Sequence, residues 1–163
     1  MGVMKTAAVK GIIPSGSKVS ELRSNLMRLM TEMPIVLEER FGEAGLKSVA
    51  EIFERLGEED ATAMKDRLGF GNTLRDSHDA WVVVGHIMGA KMNAEWVSDD
   101  RIEFPHQPCP QYEAFKKRGK PYCDSVRLSY VSAVGKTGDS VETDVVKAAD
   151  DTGPCIKGLS ISK

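Results

Sequence analysis

The hydrophobic period of the chain changes at Gly89, and that change limits the folds open to it. Ahead of it, Leu22, Leu26, Leu29, Met30, Met33 and Leu37 recur at helical spacing and share one stripe. Leu46, Val49, Ala50, Phe53 and Leu56 form a second stripe after the GEAG break, with Gly57 placed as its stop. A third short helix is expected over 59–68. Leu74, His78, Trp81, Val82, Gly85 and Met88 define a fourth, capped by Thr73, although WVVV alone would also suit a strand. Ser17 or Ser20 is expected to cap the first helix and Pro34 to kink it.

Past Gly89 the pattern shortens to near-alternation. KMNAEWVS and RIEFPHQ read as two strands joined by the acidic DD turn. Helices are expected over 110–117 and about 121–134, and GKTGD is a turn. VETDVVKAA and CIKGLSIS read as strands separated by DDTGP. This order predicts an α+β fold, with a helical N-terminal half packed on a small antiparallel sheet of about four strands. Residues 1–17 lack a sustained period and read as a flexible arm ahead of a single domain over 18–163.

A chain of 163 residues suits one core. Its net charge of -2 gives no basic surplus, so nucleic acid is not an expected partner. KKRGK at 116–120 reads as a solvated loop. No apolar run approaches the roughly 20 residues needed to span a bilayer. No membrane partner is expected, and the cytoplasm is the expected location. The first stripe also offers a face for a homodimer.

The segment FPHQPCPQYEAFKKRGKPYC at 104–123 holds two of the three cysteines, with His106 close to the first. An odd number of cysteines argues against a disulfide framework. No C-x-x-C pair is present. Cys109 precedes Pro110 and is expected at a helix N-cap, where free N–H groups and the helix dipole favour a thiolate. Cys123 lies near the start of the next helix, and Cys155 opens the last strand. Three readings remain open. The cysteines are small buried hydrophobes, or Cys109, Cys123 and Cys155 with His106 or His86 ligate zinc, or a cysteine nucleophile works with a histidine base. GKTGDS lacks the phosphate-loop frame, and GFGNT lacks a preceding strand.

The run from His86 through Gly89 and Glu95, then HQPCP, Cys123 and TGPCIKGLSI, resembles the L-2-amino-thiazoline-4-carboxylic acid hydrolase-like family. The terminal cysteine strand is also similar to 4-vinyl reductase-type ligand-binding domains. The first resemblance implies hydrolysis of a C–N bond in a small ring or amide. Carried over position by position, it implies Cys109, Cys123 and Cys155 as the family's cysteines, with His86 and Glu95 beside them. The expected catalytic groups are Cys109, Cys123, His86 and His106, and the expected substrate contacts Trp81, Glu95, Tyr112 and Tyr122. The alternative is a non-catalytic module that binds a small molecule or metal through Cys109, Cys123, Cys155 and His106, with zinc or an iron–sulfur cluster as the cofactor. Gln107 and Pro108 before Cys109, and the KKRGKP insert, depart from the family pattern.

Overall fold

The first two stripes form two long helices, α1 (Ser15–Phe41) and α2 (Glu43–Leu68), separated by Gly42. The computed structural model describes residue 9 and residues 11–105, 109–119, 122, 123, 126, 128–136 and 140–162. α3 (Leu74–Met88) follows, then β1 (Glu95–Ser98), β2 (Arg101–Pro105), α4 (Pro110–Lys116), α5 (Ser129–Gly135), β3 (Val141–Lys147) and β4 (Ile156–Ile161). The sheet order is β1-β2-β4-β3 and every pairing is antiparallel. The architecture is therefore α+β, helical in the N-terminal half and sheet-bearing in the C-terminal half.

Three local expectations change. α1 begins at Ser15 behind Pro14, so Ser17 and Ser20 lie inside the helix and neither caps it. The last residues assigned to the arm are thus helical. Gly57 does not stop a helix: α2 runs through it to Leu68, joining the second and third expected helices. Its purpose is close packing. A Cβ at Gly57 would lie 2.5 Å from the Tyr130 carbonyl oxygen and 2.8 Å from the Ala133 Cβ. The missing side chain lets α5 settle on α2, the most extensive helix contact in the fold.

Thr73 caps α3 as its sequence suggests. Its hydroxyl accepts a hydrogen bond from the Asp76 N–H, and the Asp76 carboxylate accepts one from the Thr73 N–H, completing a capping box. Hydrogen bonds from the Thr73 side chain and backbone hold the Asp76 carboxyl below its ordinary value. At the other end, Gly89 takes the left-handed conformation (φ 77°) and Arg23 of α1 donates to the Ile87 carbonyl at 2.8 Å.

The core lies between the helices and one face of the sheet. Ile102 and Phe104 of β2 sit opposite Leu159 and Lys157 of β4, and all four are buried. Trp81 of α3 stacks obliquely on Phe104 with ring centroids 4.8 Å apart. Its indole N–H donates to the Val131 carbonyl at 2.7 Å, and the Ser77 hydroxyl donates to the Gly135 carbonyl at 2.7 Å. Two buried donors on α3 thus hold both ends of α5. In α1, Met30 is buried and Met33 and Leu37 pack against the core, while Leu22, Leu26 and Leu29 stay exposed. Among the described residues no helix is long and apolar enough to cross a membrane.

Candidate functional site

Cys109 takes the position its neighbour dictates. Pro110 has no N–H to leave unpaired, so it starts α4 without penalty, and Cys109 becomes the N-cap with extended backbone (φ -105°, ψ 112°). The Tyr112 N–H points at the Cys109 sulfur at 3.5 Å. The side chain is partly exposed, and it borders an open cleft of about 470 Å³. Tyr112, Glu113 and Lys116 line one wall, and Thr152, Gly153 and Pro154 the other.

The second wall is a tightly bonded turn. The Asp150 carboxylate accepts hydrogen bonds from the Thr152 N–H, the Thr152 hydroxyl and the Gly153 N–H, at 2.8, 2.6 and 3.1 Å. Those bonds, led by the Thr152 hydroxyl, hold the Asp150 carboxyl below its ordinary value. The Tyr112 hydroxyl donates to the Asp150 carbonyl at 2.6 Å and ties the turn to α4. A cleft with a thiol, a carboxylate and an ammonium group can bind a small polar molecule and exchange protons with it.

The other residues singled out in the sequence are dispersed. Cys155 is buried directly after Pro154, at the edge of the cleft wall, and Cys123 lies in the hydrophobic core. None of the three cysteines forms a disulfide. Among the described residues no group of three or more His, Cys, Asp and Glu side chains is placed to hold a metal ion. The three cysteines therefore make no zinc or iron–sulfur ligand set there, and His106 lies outside the described residues. His86 is exposed in the last turn of α3, and Glu95 is exposed on β1, an edge strand. Neither is among the described residues lining the Cys109 cleft.

Two aromatic residues expected to contact substrate have other positions. Trp81 is 1% exposed with its N–H committed to Val131, so it is a post of the core. Tyr122 is buried and its hydroxyl donates to the Glu38 carboxylate. Tyr112 alone of the four expected contacts lines the cleft. Burial, followed by the hydrogen bond to Glu38, pushes the Tyr122 phenol up to about 12. A raised folded-state value means the folded chain keeps this proton after the unfolded chain has lost it. The associated stability is complete below about pH 10, the ordinary phenol value, and drains away as pH rises toward 12. Ultraviolet titration should show a phenol ionising near pH 12, and Tyr122→Phe should delete that step.

No protein-family model matches the chain, and no curated protein matches it.

Several polar residues of this region carry no motif in the sequence. Glu113 and Lys116 follow Cys109 by one and two turns of α4, a spacing that returns them to its side. Gln111 is 3% exposed, and its carboxamide finds no hydrogen-bond partner among the described residues. Lys157 is 1% exposed on the same face of β4 as Leu159. Its signal was available: strand alternation in CIKGLSIS puts a lysine inward.

Proposed function

We propose that the Cys109 cleft is the working site of a small-molecule hydrolase that acts on a C–N bond, as the family resemblance implies, in the cytoplasm. The observation that carries the reading is the shared cleft. Among the described residues this cleft brings together a thiol, a carboxylate, an ammonium group and a hydroxyl. In this mechanism the Cys109 sulfur, as thiolate, bonds to the substrate carbon. The C–N bond breaks, and its nitrogen leaves with a proton from the Lys116 ammonium. Water, giving a proton to Glu113, then cleaves the S–C bond and restores the thiolate, and the Glu113 proton passes back to Lys116. The net reaction consumes one water and one C–N bond. Glu113 and Lys116 take the proton-transfer roles that the sequence assigned to histidine.

The second reading is a non-catalytic small-molecule binder at the same cleft, favoured by the cleft's open shape and by the Tyr112 hydroxyl that ties one wall to the turn of the other. Its metal-binding form has no support among the described residues. Hydrolysis of L-2-amino-thiazoline-4-carboxylate, followed by chromatography, tests the enzyme. Wild-type protein should turn over, Cys109→Ser should lose at least about 100-fold, and Glu113→Gln should lose about 100-fold, the usual weight of a proton-transfer group. Equal turnover in Cys109→Ser and wild type would remove Cys109 from the chemistry. Binding without turnover by wild-type protein would favour the binder.

A further inference from the structure

The first half of α1 carries an apolar stripe that the fold leaves uncovered. Leu22 is 68% exposed and Leu29 59%, with Val19 and Leu26 also open. The four recur at spacings of three, four and three, the heptad seam of a paired helix. Beside the stripe runs a groove of about 340 Å³ between α1, α2 and α3, bordered by Leu26, Met30, Leu56 and Ile87. Ile87 is itself 61% exposed. Stripe and groove form one apolar surface, because Leu26 belongs to both.

We propose that this surface pairs with a second copy of the same chain, α1 lying antiparallel to the partner's α1 about a two-fold axis near Ser24 and Asn25. Two arguments select this occupant. The first is area. The exposed apolar side chains of stripe and groove amount to on the order of 600 Å² per chain, near the roughly 800 Å² that each member of a standard interface contributes. The second is charge. Lys18, Asn25 and Glu32 flank the seam on one side, cationic at one end and anionic at the other, with the Glu32 carboxylate also accepting from Arg118 of the same chain. Antiparallel pairing sets Lys18 against the partner's Glu32 and Asn25 against the partner's Asn25. It also sets Val19 against the partner's Leu29, and Leu22 against the partner's Leu26. An isologous contact of this kind closes on itself and leaves the Cys109 cleft out of its seam.

Light scattering after gel filtration at tens of micromolar tests the pairing. Wild-type protein should have twice the single-chain mass of 17.8 kDa, and Leu22→Glu/Leu29→Glu should have the single-chain mass with unchanged helical circular dichroism. A wild-type monomer at those concentrations, or a double variant that stays dimeric, overturns the proposal. A monomer would leave the face to a different partner. Should the double variant lose its fold, a disulfide decides. In a Cys109→Ser background, Asn25→Cys should cross-link two chains on oxidation much faster than Asp99→Cys in the β1–β2 turn. Equal rates at the two positions overturn the pairing.

Discussion

Replacing Trp81 with alanine should lower the stability of the protein by about 4 kcal/mol, within the range for emptying a large aromatic site in a core. Three losses act together. The indole leaves a cavity beside Phe104, whose ring centroid is 4.8 Å from that of Trp81. The Val131 carbonyl loses its buried donor, which adds a penalty of about 1–3 kcal/mol where water cannot replace it. Of the two hydrogen bonds by which α3 holds α5, the Ser77 hydroxyl on Gly135 is left. Urea unfolding followed by far-ultraviolet circular dichroism measures the change. Trp81→Phe separates the contributions, because it restores most of the volume and not the hydrogen bond. It should cost about 1–2 kcal/mol. A loss under about 1 kcal/mol for Trp81→Ala would show that the indole is not a support of the core.

Gly57→Ala should destabilise the protein by about 1–3 kcal/mol, against the sign that helix propensity gives. Inside a helix, alanine in place of glycine is ordinarily favourable by about 1 kcal/mol. Here the added methyl would lie 2.5 Å from a backbone oxygen of Tyr130, and backbone cannot swing aside as a side chain does. α5 would have to lift from α2, loosening the largest helix contact of the fold. Gly57→Leu should be worse, enough to prevent cooperative unfolding. Gly16 is the control: it lies in the first turn of α1 with nothing within 4 Å of the added atom. Gly16→Ala should be neutral or slightly stabilising. Matching effects at the two glycines would refute the close-packing role of Gly57.

Gly57 also shows where a single sequence misleads. A glycine after an apolar stripe reads as a stop, because glycine commonly ends helices. Its true reason lies more than seventy residues away in Tyr130 and Ala133, and no local pattern carries that information. Periodicity served well where one face is buried and the other wet, as in α3, or where short strands alternate, as in β2 with Ile102 and Phe104 turned inward. Thr73 was legible because a cap is a contact within one turn, and Cys109 because Pro110 restricts its own surroundings. The candidate site is different. Tyr112 joins Cys109 through α4, but the opposite wall comes from Thr152–Pro154, set there by the pairing of β4 with β2. Trp81 and Tyr122 have the chemistry of ligand-binding aromatics, and only their burial and their bonds to Val131 and Glu38 assign them to the framework.

The most direct test of the Cys109 cleft as the ligand site is the rate at which each thiol of the native protein is alkylated by iodoacetamide, read by peptide mass mapping with and without L-2-amino-thiazoline-4-carboxylate. Cys109 should react at least about tenfold faster than buried Cys123 and Cys155, and the added compound should slow Cys109 alone. Equal reaction of all three thiols, or a Cys109 rate that the compound leaves unchanged, would contradict the assignment.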